Sequence, residues 1–268
     1  MDRLILGRYI PGDSLIHRLD PRSKLLAMIL FLFIIFWANN LVTNAIILAF
    51  VVMLVFLSGI KFSFFLNGIK PMLGIILFTT LFQVFFMGGE TILLTFWFIK
   101  ITLEGLQQAG IIFLRFVLII IFSTLLTLTT TPLSLADGVE AGLAPLARLK
   151  VPVHEIGLML SMSLRFVPTL MDDTTRIMNA QRARGVDFGE GSLVQKVKAI
   201  IPNLIHLFAS SFKRADALAT AMEARGYQGG DGRSKYRVLS WKLIDSLAIL
   251  VMILLGIVLF FLKTTIYS

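Results

Sequence analysis

The feature that most constrains this chain is a set of five long apolar runs. They cover Leu25–Ala38, Leu41–Leu57, Met72–Met87, about Leu106–Leu128 and Leu243–Leu262. A helix that crosses a bilayer needs about 20 predominantly apolar residues. Runs of this length, in a chain that is 57% hydrophobic with 23 Phe, define an integral membrane protein. The first run is short, and the expectation is that Arg22–Lys24 extend it as a snorkelling turn at the interface. The expected fold is an all-α integral membrane protein with about five transmembrane helices. Thr91–Thr102 alternates weakly and carries Phe96, Trp97 and Phe98, which suggests a short hairpin at the outer interface. The alternative is that it extends the fourth helix.

Charge sets the orientation. Residues 1–24 hold five Lys/Arg, and the stretch Thr131–Ser240 holds 14 Lys/Arg against 10 Asp/Glu. The loop after the second span carries Lys61 and Lys70, whereas the loop after the first carries no Lys or Arg. Basic residues collect on the cytoplasmic side, so the N-terminus and the long stretch are expected there. The same rule accounts for the net charge of +9 without nucleic acid. The N-terminus, with Pro11, Gly12 and several charges before the first apolar run, does not resemble a cleaved signal peptide. The divisions are a cytoplasmic N-terminal segment (1–24), transmembrane helices one to four (25–130), a cytoplasmic coupling-helix module (131–240), and a final transmembrane helix with the C-terminus (241–268).

The module between the last two spans reads as helices. Thr131-Pro132 places an N-cap before a proline at the first helical position. A second region covers roughly Glu155–Arg184, with Ile156, Leu160, Leu164, Val167, Met171 and Met178 on one face. A third covers about Asn203–Arg225, with Leu204, Phe208, Phe212, Ala215, Leu218 and Met222 aligned. Pro168 and Pro202 are expected to bend or begin these helices. The apolar stripes are expected to face the membrane or each other. Met159, Met162, Met171 and Met178 make the second helix adaptable to partners, or simply form a core stripe.

Both long helices end on the same pattern, Ala-x-x-Ala-Arg-Gly. One copy is Ala180, Ala183, Arg184 and Gly185; the other is Ala221, Ala224, Arg225 and Gly226. A glycine just past a helix end supplies a left-handed cap. Arginine there suits the negative end of the helix dipole. Capping alone does not require the same alanines and arginine twice. The repeat reads as two similar plugs for two similar sockets. Arginine suits such a plug because its planar fork binds carboxylates bidentately and keeps its charge.

Paired Ala-Arg-Gly ends on long helices resemble the transmembrane T component of energy-coupling factor (ECF) transporters. "HRLDPRSKLL" (His17–Leu26) is similar to that family's N-terminal signature. "LTLTTTPLSLADGVEAGLAPL" resembles its exit from the fourth span, and "LRFVPTLMDDTTRIMNAQRARG" its second long helix. The resemblance covers essentially the whole chain. It implies two ATP-binding-cassette ATPases, the A and A′ components, one receiving Arg184 and the other Arg225. It implies a separate substrate-binding membrane S component for a vitamin or metal ion, which topples in the bilayer as ATP is used. ATP and Mg would then sit in the ATPases, with no cofactor bound by this chain. The implied location is the bacterial cell membrane.

The sequence agrees by what it omits. No phosphate loop, His-Glu-x-x-His or Gly-x-Ser-x-Gly occurs, and there is no cysteine. Paired intramembrane carboxylates for a proton relay are also missing. A secondary transporter would need a polar midplane site, for which Arg115 and a few amides and hydroxyls are the available groups. A membrane-tethered protein binding anionic lipid or nucleic acid would cluster its basic residues, which here alternate with acids. Arg115 in the fourth span reads either as an internal tie to groups such as Gln83 or Thr79, or as a snorkelling side chain. His154-Glu155 reads as the first turn of a helix. Asp172-Asp173 reads as local pairing with Arg176.

Overall fold

The computed structural model describes residues 9–88, 91–96, 99–186, 192–229 and 239–265. Residues 1–8, 187–191 and 230–238 of the charge count, and Trp97 and Phe98, lie outside the described residues. The chain forms two compact units: Met1–Gly142 with Leu239–Ser268, and Leu143–Val238.

The first unit is a helical bundle. Its helices are α1 (Pro21–Ile34), α2 (Leu41–Ser58), α3 (Phe62–Ile69), α4 (Leu73–Phe86), α5 (Leu103–Thr129), α6 (Pro132–Leu143) and α9 (Leu243–Thr265). Among the described residues, four segments are long and apolar enough to cross a membrane: Leu41–Ser58, Phe62–Phe86, Leu103–Thr129 and Leu243–Lys263. The remaining apolar run, the first, is α1, which has 14 residues and continues as a three-residue 3-10 turn. That length, about 25 Å, is near the lower limit for a span.

α5 is the central helix, touching α1, α2, α3 and α4, while α9 closes against α1 and α2. Phe31, Ile47, Phe65, Leu118 and Leu259 are fully buried among them. The outward positions are large and apolar, such as Phe33, Phe56, Phe78 and Phe261, as a lipid-facing surface requires. Small residues permit the close approaches. A Cβ on Gly68 of α3 would lie 2.8 Å from the Thr124 hydroxyl of α5.

Two expectations about this unit change, and the hairpin reading holds. The third span starts earlier than its apolar run. Phe62–Phe86 is one segment, interrupted by a 3-10 turn at Lys70–Met72 where Pro71 cannot continue the hydrogen-bond ladder. Lys70 therefore belongs to that segment, and the preceding loop is Gly59, Ile60 and Lys61. Lys24 does not snorkel. It is buried and donates to the Thr129 carbonyl (2.9 Å) and the Thr130 hydroxyl (3.1 Å). The segment before α5 is the hairpin, with β1 (Ile92–Phe96) antiparallel to β2 (Ile99–Thr102). Thr102 then caps α5 by accepting from the Gly105 amide at 3.2 Å.

Thr131 opens α6 as its spacing suggests, accepting from the Ser134 amide at 3.2 Å. α6 lies on the start of α1. A Cβ on Gly138 would meet Pro21 and Leu25 at 3.1 Å.

The second unit contains a 3-10 segment (Ala144–Leu149), α7 (Val153–Ala183) and α8 (Leu193–Ala224). α8 begins ten residues before the expected start, because Pro202 sits inside it rather than opening it. Pro168 likewise lies inside α7.

Candidate functional site

The two Ala-Arg-Gly ends are built alike. At the end of α7, the Gly185 amide donates to the Arg182 carbonyl (3.0 Å) and the Val186 amide to the Gln181 carbonyl (3.1 Å). At the end of α8, the Gly226 amide donates to Glu223 (2.9 Å) and the Tyr227 amide to Met222 (3.0 Å). This paired pattern is the Schellman motif. It requires a left-handed residue after the cap. Gly185 and Gly226 supply it with φ of +86° and +74°.

The arginines therefore occupy the cap position itself, just past the last helical alanine. Ala180, Ala183, Arg184 and Gly185 are all exposed, as are Ala221, Ala224, Arg225 and Gly226. Neither guanidinium has a hydrogen bond or ion pair among the described residues. Each tip thus presents a free cation beside a strip of alanine, where an acidic group can approach closely.

α7 and α8 meet on a mixed face that holds an ion pair, and parts of their apolar stripes stay exposed. Asp173 of α7 pairs with Arg214 of α8, and this replaces the expected local pairing of Asp172-Asp173 with Arg176. The half-buried positions of α8 include Leu207, Ser211, Arg214 and Leu218, at spacings of four, three and four. The apolar stripes remain open, with Phe208 and Phe212 64% and 74% exposed. Val167 and Met171 on α7 are also exposed. His154 and Glu155 lie in the first turn of α7, as expected.

Arg115 is an internal tie, to partners other than Gln83 and Thr79. Its guanidinium donates to the Ala38 carbonyl (3.0 Å) and the Asn39 side-chain oxygen (3.2 Å), and lies 5.2 Å from the Phe36 ring centre. Asn44 donates to the same Ala38 carbonyl at 3.3 Å. Gln83 and Thr79 instead bond within their own helix, to Met87 and to Ile75 and Ile76.

At the other end of the bundle lies a buried cluster that sequence reasoning missed. Asp245, in the first turn of α9, is 1% exposed. Its carboxylate accepts from the Asp20 amide (2.7 Å), the Ser23 hydroxyl (2.8 Å) and the Lys242 amide (2.8 Å). Asp20 also caps α1, accepting from the Arg22 amide at 2.9 Å. The stretch Asp20-Pro21-Arg22-Ser23-Lys24 thus fastens α1 to α9 through Asp20 and Ser23, and to the end of α5 through Lys24. The available signal was a lone carboxylate opening the last apolar run.

The first unit defines a multi-pass helical membrane protein, and the second adds a pair of ion-paired helices with matching arginine tips. The family model described as cobalt transport protein (CbiQ) matches residues 12–238. The chain is 75% identical to the energy-coupling factor transporter transmembrane protein EcfT of Streptococcus equi subsp. equi, with 98% of each chain covered. It is 68% identical to the protein of that name from Streptococcus thermophilus, over 98% of this chain and 100% of the relative. It is 52% identical to that of Bacillus subtilis, over 98% and 99% respectively. The chain belongs to this family, the transmembrane T components of energy-coupling factor transporters.

Proposed function

We propose that this chain is the non-catalytic scaffold of an ECF importer, coupling ATP hydrolysis by two ATPase subunits to movement of a membrane S component. The observation that carries this reading is the duplicated tip. Arg184 and Arg225 cap their helices through the same hydrogen bonds and are both exposed and unpaired among the described residues. Two such tips suit a partner with two similar acidic grooves, as a pair of related ATPases would offer. Residues 1–24 and the coupling module face the cytoplasm in this reading, following the distribution of Lys and Arg.

The open apolar stripes of α7 and α8 support the second half of the proposal. Contiguous exposed apolar surface marks a protein or membrane contact. A hydrophobic S component, carrying the vitamin or metal ion, would rest on such a surface. Specificity for the transported molecule would reside in that subunit.

The test is Arg184→Glu combined with Arg225→Glu in the chain expressed with its partner subunits. Purification in mild detergent should then recover the membrane subunit without ATPases, and ATP-driven uptake should be lost. Either substitution alone should leave partial assembly. Retention of both ATPases at full affinity by the double variant would refute the plug reading.

A further inference from the structure

The ion pair that joins the coupling helices occupies matching positions on them. Asp173 and Arg214 are 41 residues apart, the same separation as Arg184 and Arg225. Each partner therefore lies eleven residues before the arginine of its own helix. At 1.5 Å per residue, each arm from the ion pair to its tip is about 16 Å. Both arms are helical up to the Schellman turn.

The face around this pair also carries apolar side chains. On α8 it carries Leu207, Ser211 and Leu218, all half-buried, while the bulky Phe208 and Phe212 point away and stay exposed. Apolar contacts such as those of Leu207 and Leu218 are non-directional and do not by themselves select one register. A carboxylate–guanidinium contact does set one, because it is directional and holds two particular residues together.

We infer that Asp173 and Arg214 form a positioning pair, fixing where α7 and α8 cross and hence the separation of Arg184 and Arg225. The inference rests on the reading of those arginines as ATPase plugs. Equal arms give it mechanical meaning. A change of crossing angle about the pair moves both tips by the same amount, which suits a partner made of two similar halves closing on each other. A shift of register would instead lengthen one arm and shorten the other.

The test uses the full chain assembled with its partner subunits. Because the chain has no cysteine, Asn179→Cys and Thr220→Cys place single spin labels at matching exposed positions, one turn before the tips. Pulsed electron–electron resonance should give one narrow distance distribution in this background. Asp173→Arg alone or Arg214→Asp alone should broaden or shift it and reduce uptake per ATP hydrolysed. Asp173→Arg with Arg214→Asp should restore both. Asp173→Asn is the milder variant and should broaden the distribution without loss of membrane insertion.

An unchanged distribution in Asp173→Asn and the single reversals, or failure of the double reversal to restore it, would overturn the pair. The same labels in the Arg184→Glu, Arg225→Glu chain separate the two ideas. If ATPases remain bound there and the distribution still follows the Asp173 and Arg214 substitutions, the positioning pair stands and the plug reading falls.

Discussion

Phe31 of α1 and Phe122 of α5 stack face to face, with ring centres 4.2 Å apart and planes 7° from parallel. Seven residues before Phe31 and seven after Phe122, Lys24 donates to the carbonyl of Thr129. Seven residues in the other direction, Arg115 donates to the carbonyl of Ala38. The antiparallel pair is thus joined at three levels, about 10 Å apart along the helices. A cation closes each end, and an aromatic stack fills the middle. In lipid the apolar surface gains little from leaving its solvent, so packing and hydrogen bonds hold helices together.

Phe31→Ala should therefore destabilise the bundle by about 3 kcal/mol, the lower end for losing a buried Phe, since cavity and contact losses dominate. Phe31→Leu should cost less than half of that. Thermal unfolding of the purified chain in detergent checks both. An equal effect of Phe33→Ala, at an exposed position of the same helix, would contradict the assignment.

Asp245 holds α9 to the start of α1 by accepting three hydrogen bonds while buried. Asp245→Ala leaves the Asp20 and Lys242 amides without their acceptor, while the Ser23 hydroxyl keeps the Asp20 carbonyl at 2.8 Å. A loss of about 3–5 kcal/mol is expected, the range for breaking a buried charged interaction. Ser23→Ala removes one of the three bonds and should cost about 1 kcal/mol. Yield of folded protein from membranes, with thermal midpoints for the variants that survive, measures the order.

The apolar runs and the helix ends were legible in the sequence because each depends on local chemistry. Run length gave the helices, and Thr131-Pro132 and the two glycines marked the boundaries. What was not legible depended on residues distant in the chain. Lys24 meets Thr129, Arg115 meets Ala38, and Asp245 meets Asp20, pairs 77 to 225 residues apart. Periodicity placed the stripes but not the contact between the two helices. The apolar stripes of α7 and α8 are real but open, and the helices meet through Asp173 and Arg214. The differing flanks of the two Ala-Arg-Gly copies, one acidic and one basic, are complementary for that reason.

Gly68 tests how closely α3 must approach α5. An added Cβ would meet the Thr124 hydroxyl at 2.8 Å and its methyl at 3.3 Å. Gly68→Ala should cost about 1–3 kcal/mol by overpacking. Thr124→Ala removes both atoms, so the double variant should recover most of that loss. A double-mutant cycle with a coupling below about 0.5 kcal/mol would show that the two positions do not share the contact.

The left-handed turn after each arginine can be tested apart from the arginine itself. Among the described residues, no atom beyond the chain neighbours lies within 4 Å of a Cβ built on Gly185 or Gly226, so substitution there meets backbone strain. Gly185→Ala and Gly226→Ala should each cost about 1 kcal/mol of turn stability. Asparagine tolerates the left-handed region better, so Gly185→Asn and Gly226→Asn should cost less. If the turn presents the arginine to an ATPase, the alanine variants should bind about fivefold more weakly, the affinity equivalent of that energy. Valine, stiffer beside its backbone, should weaken binding further. Surface-immobilised membrane subunit titrated with ATPases reads the series directly. The order glycine, asparagine, alanine, valine is the signature of a conformational requirement. A flat series would mean that the arginine reaches its partner without the turn.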